Sequence, residues 1–187
     1  ALDQVRPDVN TFYTVYEPLK EISRETALKL IDHVDLERGT TADVLLIIAM
    51  EYLNLGEAER AAAAAERVLQ VTTDIDQRAE ALKARLTAAG MLGTPGAARE
   101  AFDALRELLL RRGRFADLEQ VLLDENLVGQ ALDHIEVKCE LIDLYEEMEG
   151  REEDRGRLQL AVARSLKARK EVESLEEKRT ELLDSID

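Results

Sequence analysis

Two histidines, one cysteine, several acidic runs and one basic cluster are the residues here whose chemistry could reach beyond packing. His33 lies beside Asp32 and Asp35, and His134 beside Asp133. An imidazole next to a carboxylate suits proton transfer near neutral pH, or a divalent metal if further donors stand at ligand spacing. Neither histidine has such donors. Cys139 comes five residues after His134, off the i, i+4 spacing that shares a helix face. Both histidines therefore read as structural or exposed, and Cys139 as a packed or surface thiol rather than a nucleophile. The runs Glu146-Glu147 and Glu152-Glu153-Asp154 bring carboxylates together in sequence, but neighbours point to different sides of a helix. With Arg151, Arg155 and Arg157 interleaved, they read as an ion-paired, solvated face. Arg111-Arg112-Gly113-Arg114 is the strongest basic cluster. Cations are favoured at a helix C-terminus by the dipole alone, so an anion site is its less favoured reading. No Gly-rich phosphate loop, nucleophile elbow or zinc spacing is present. The expectation is a chain with no catalysis, no metal and no cofactor.

The elements that carry these residues follow from composition. Of 187 residues, 45% are apolar, which suffices for a sizeable core and is too many for a disordered chain. Aromatics are only 4% and Trp is absent, which argues against sandwiches and barrels. Ala, Leu, Glu and Arg dominate, the residues that lose least on entering a helix. The fold class is therefore all-α. The net charge of −15 repels phosphate backbones and anionic lipid heads, so neither nucleic acid nor a membrane surface is an expected partner. The longest apolar run, Val44 to Met50, is seven residues, short of a membrane span. A single Cys leaves no internal disulfide to form, and no signal peptide is read, so the expected location is cytoplasmic. The chain opens at Ala1 rather than Met and reads as a piece of something longer.

Pro and Gly divide the sequence into lengths suited to helices. A weak helical stretch, Val9 to Tyr16, contains Phe12, Tyr13 and Tyr16. Pro18 then fits a first helical turn, in a helix running to about Leu36 and stopping at Gly39. Further helices are expected from Ala42 to Leu55, Glu57 to Val71, and Asp74 to Ala89, the last opened by a capping-box-like Asp74 and Gln77 and closed by Gly90. Gly93-Thr94-Pro95-Gly96 is the clearest turn. Ala97 to Arg112, Phe115 to about Asp124 and Gln130 to Glu149 follow as helices. A charged stretch from Arg164 to Ile186 reads as one long helix, with Val172, Leu175, Leu182 and Ile186 as its regular apolar residues.

These helices come in pairs with a period. Ala27 and Ala61, Ile31 and Ala65, and Val34 and Val68 are each 34 residues apart. Leu45, Ile48, Tyr52 and Gly56 recur at the same interval as Ala79, Leu82, Leu86 and Gly90. The best unit, Ala42 to Thr73, carries Leu45, Ile48-Ala49, Tyr52, Gly56, Ala61 and Ala65. Small residues at Ala49 and Ala61 let paired helices approach closely, and Gly56 permits a left-handed turn. This unit resembles the tetratricopeptide repeat. Leu45 stands where that family has Trp, Ala65 where it has an aromatic, and Thr73 where it has Pro. Weaker copies run through Ala98, Phe102 and Leu105 and on to Leu160, so the resemblance covers most of residues 20 to 166.

The resemblance implies stacked antiparallel helical hairpins, a solenoid-like domain over residues 1–166, and a charged C-terminal helical extension over residues 167–187. It also implies a concave groove lined by the first helix of each pair, holding a peptide or a partner helix. Leu46, Met50 and Leu53 would face that groove, with Gln77, Glu80, Ala84 and Thr87 in the next unit. A helix apolar on two sides must bury the second side against something, either a partner or another helix of the same chain. The Lys, Asn and Arg of the family's carboxylate clamp are absent, which disfavours acidic chaperone tails. The expected function is a protein-interaction scaffold or adaptor binding a protein or peptide. The alternative is a regulatory module of a larger sensor or enzyme that self-associates through its terminal helix.

Overall fold

The computed structural model describes residues 9–36 and 40–184, and every regular element among them is a helix. The chain divides into two compact units. The first contains α1 (Val9–Ile22), α2 (Arg24–Leu36), α3 (Ala42–Asn54), α4 (Ala58–Val71), α5 (Ile75–Met91) and α6 (Pro95–Arg111). The second contains α7 (Phe115–Leu123), then, after the four-residue α8 (Glu125–Val128) that belongs to the first unit, α9 (His134–Glu146) and α10 (Glu152–Asp184). No described helix is long and apolar enough to cross a membrane.

In the first unit α3 packs on α4, α4 on α5 and α5 on α6, while α3 also touches α5. Three of the turns share one chemistry. Gly56 has φ +76°, its N–H donates to Leu53 O at 3.0 Å, and the N–H of Glu57 donates to Tyr52 O at 2.8 Å. That pattern closes a helix on a left-handed glycine and pairs two orphan carbonyls. It recurs at Gly93 after α5 and at Gly113 after α6. The turn after α5 therefore sits at Gly93 and not at Gly90, where the period places it. Gly90 is helical, and a Cβ there would lie 3.0 Å from Gln130 Cγ, so its role is close approach. The period lapses because α5 has 17 residues against 13 in α3.

Other elements depart from sequence expectation for local reasons. Pro18 lies inside α1 rather than opening a helix. The chain is already helical from Val9, and the missing N–H costs one bond near the end of α1. The break comes at Ser23, whose Oγ stands 3.5 Å from the N–H of Thr26 in the manner of an N-cap. The helix expected from Gln130 begins at His134, because Asp133 builds a full capping box with Glu136. At α5 Asp74 accepts the Gln77 N–H at 3.0 Å, but the Gln77 side chain turns away to donate to Asp43 at 2.7 Å. The last helix starts at Glu152 and runs through Gly156 and past residue 166 without a break. The expected stop at Gly39 lies outside the described residues, as do the side chains of Tyr13, Leu175, Leu182 and Ile186.

The core of the first unit is built from small residues. Ala27, Ala49, Ala61, Ala64, Ala65 and Ala88 are fully buried among Ile31, Leu45, Ile48 and Val68. With methyl groups at these contacts, helix backbones come close and little space remains for a larger side chain. Ala65→Leu should therefore destabilise the chain by about 1–3 kcal/mol, while Ala63→Leu on the exposed side of α4 leaves it nearly unchanged. Denaturant midpoints of the two variants check this, and equal values would mean that α4 is not closely packed. The second unit buries Leu118, Val121 and Leu122 of α7 and Leu141, Leu144 and Tyr145 of α9, with Leu132 between.

Candidate functional site

The groups with the most reactive side chains are dispersed. His33, His134 and Cys139 are each exposed. Among the described residues no group of three or more His, Cys, Asp or Glu side chains could hold a metal ion. Three members of the acidic runs are ion-paired: Glu146 with Arg155 at 3.3 Å, Asp154 with Arg151 at 3.0 Å, and Glu153 with Arg157. Arg111 pairs with Glu107 and Arg114 with Asp76.

A feature the sequence did not show is a cluster repeated three times. In each, a tyrosine hydroxyl donates to a carboxylate that also binds a cation, and the cation lies over the tyrosine ring. In the first unit Glu51 of α3 accepts Tyr16 at 2.7 Å and Lys20 at 2.9 Å, both from α1. Asp32 of α2 accepts Tyr52 of α3 at 2.7 Å and Arg60 of α4 at 3.1 Å. In the second unit Glu119 of α7 accepts the Tyr145 hydroxyl of α9 at 2.7 Å, and its two oxygens both accept from Arg151 Nη2, at 2.6 and 2.7 Å. Each cluster joins neighbouring helices through their one or two buried polar groups, so that burial leaves no group without a hydrogen bond.

The electrostatics fit a structural role. Burial pushes the Glu51 carboxyl up, but the Lys20 and Tyr16 hydrogen bonds and the Lys20 charge outweigh it and hold the group below its usual value. Burial, then the hydrogen bond to Glu119 and its charge, push the Tyr145 hydroxyl up to about 12. At neutral pH this hydroxyl keeps its proton and acts as a donor to Glu119, not as a nucleophile or a base. Lys20 within the i, i+4 pair Tyr16–Lys20 is the only local hint of any cluster, because the other members come from separate helices.

The remaining candidate is the α3 surface. Met50 is 47% exposed, while Leu46 and Leu53 are half-buried against the core. Val44, Leu45, Ile48, Ala49 and Tyr52 occupy the opposite, buried side. Gln77 Nε2 on Asp43 draws the first turn of α5 alongside that of α3. Beyond it Glu80 is exposed and paired with Lys83 at 2.8 Å, and Thr87 is half-buried with its hydroxyl on Lys83 O. Ala84 is only 2% exposed and belongs to the core, so it has almost no surface to offer a ligand. Compared with known proteins, the chain matches no family model, no curated protein and no solved structure.

Proposed function

We propose that this chain is a non-catalytic helical scaffold that binds a peptide or partner helix across the surface shared by α3 and α5. The helices α3 to α6 are read as tetratricopeptide-like hairpins, with α3 and α5 as the first members of successive pairs. The observation that carries the reading is Met50, half-exposed between Leu46 and Leu53 on a helix whose other side already fills the core. An apolar stripe beside Gln77 and Glu80 offers an anchor point and polar groups to orient what sits on it. The proposed working place is the cytoplasm, where a lone thiol such as Cys139 stays reduced.

Peptides selected by display against the 187-residue chain test the proposal. Selection should yield apolar-anchored sequences, and Met50→Glu should weaken their binding by about tenfold or more, since a charge would face the anchor. Met91→Glu, at an exposed site on the last turn of α5, should leave binding unchanged. Binders indifferent to Met50→Glu would remove this surface as the site.

The second reading, self-association through α10, draws on exposed Leu160, Leu166 and Val172. In the sequence Val172, Leu175, Leu182 and Ile186 follow one another at three, seven and four residues, a spacing that matches one apolar seam. Light scattering on a chain ended at Leu166 separates the two.

A further inference from the structure

The basic cluster at the end of α6 takes on a different meaning once the first unit is folded. α4, α5 and α6 enclose an open cleft of about 510 Å³. Its floor is apolar, made by Leu69, Leu82 and Leu108. Its rim carries Arg85 from α5 and Arg111 and Arg112 from the end of α6. On α5, Leu82 and Arg85 follow each other at i, i+3, and on α6 Leu108 and Arg111 do the same, so each helix presents an apolar residue and a cation side by side on the face that lines the cleft.

Arg78 also borders the cleft but is committed, since its guanidinium donates to Leu69 O at 2.8 Å and Thr72 O at 3.2 Å. It closes the end of α4 and fixes that wall. Two carboxylates face the cations: Glu66 pairs with Arg85 at 2.8 Å, and Glu107 pairs with Arg111. Both glutamates are about half-exposed, and exposed pairs of this kind hold weakly, so a ligand carboxylate can take their place. The Arg112 side chain has no hydrogen-bond or ion-pair partner among the described residues. The cleft thus gathers four arginines against two glutamates in a chain whose net charge is −15.

We infer that this cleft is a second binding site, for an acidic segment of a partner protein in which carboxylates flank an apolar side chain. The apolar residue enters between Leu69, Leu82 and Leu108, and the flanking carboxylates meet Arg85 and Arg112. Planar guanidinium forks match carboxylates in pairs, which favours Glu and Asp over a neutral polar chain. The net charge of −15 repels a phosphate backbone, which disfavours nucleic acid as the occupant. The site uses none of the α3 residues, so it stands or falls independently of the scaffold surface at Met50.

The test is fluorescence anisotropy on the full 187-residue chain, with a labelled synthetic peptide repeating Leu-Glu-Glu as the probe. Binding should be saturable and should weaken as salt rises. The paired substitutions Arg85→Gln and Arg112→Gln should weaken it by about tenfold or more, with helical circular dichroism unchanged. Met50→Glu should leave it as it was. Three results would overturn the inference: no binding of the probe, equal binding of a Leu-Gln-Gln peptide, or unchanged affinity in the paired arginine variant. Tighter binding of a single-stranded RNA oligonucleotide at the same salt would reassign the cleft to nucleic acid and overturn it as well.

Discussion

Glu119→Ala should destabilise the second unit by about 2–3 kcal/mol. Glu119 is buried, 9% exposed, and its carboxylate accepts the Tyr145 hydroxyl and two contacts from Arg151 Nη2. Its removal leaves a buried hydroxyl and a guanidinium without their common acceptor. The loss stays below that of a fully buried pair because the Arg151 side chain is 35% exposed, keeps Asp154, and can turn to water. Glu119→Gln retains an acceptor for Tyr145 and should cost less. Hydrogen exchange of α9 amides reports the change where it occurs.

The same cluster gives a pH signature. The Tyr145 hydroxyl titrates at about 12 against an ordinary value of 10.0. A group whose folded value lies above its unfolded value contributes stability that is complete below the unfolded value and lost as pH rises through the folded one. The second unit should therefore lose stability between about pH 10 and pH 12, and Tyr145→Phe should flatten that part of the curve. In Glu119→Ala the tyrosinate absorbance should appear at lower pH. A variant that unfolds like the parent and titrates at the same pH would show that the cluster does not hold α7, α9 and Arg151 together.

Phe102→Ala carries the other large effect. Phe102 is fully buried on α6, between the buried Ala98 and Leu105. Emptying a fully buried aromatic site should cost about 3–5 kcal/mol, through lost burial and the cavity left behind. Phe102→Leu should recover more than half of that loss. Chemical denaturation followed by circular dichroism measures both. A loss under about 1 kcal/mol would mean that α6 is not packed as described.

Much of the architecture follows from residues close together in the chain. Gly56 and Gly113 close helices where sequence reading puts them, since a left-handed glycine after an apolar helical run needs only local chemistry. Gly90 misleads for the opposite reason. Its matching position 34 residues after Gly56 is a coincidence of spacing, and the actual turn at Gly93 depends on α5 extending to pack along its neighbours. Pro18 misleads similarly, because a proline opening a helix and one near the end of a helix differ only in what precedes it. Of the residues expected on the α3–α5 surface, Met50 is open while Ala84 is enclosed, a difference set by which helix lies against each.

Composition and short-range spacing are enough for an all-helical chain, its capping residues and most of its helix ends, because each depends on hydrogen bonds and side-chain entropy within a few residues. The carboxylates of Glu51, Asp32 and Glu119 meet their tyrosines, and Arg85 and Arg112 come to line one cleft with Leu69, Leu82 and Leu108, only when separate helices pack. No spacing rule encodes these meetings, since the angle and rotation of one helix against another come from the summed contacts of many side chains.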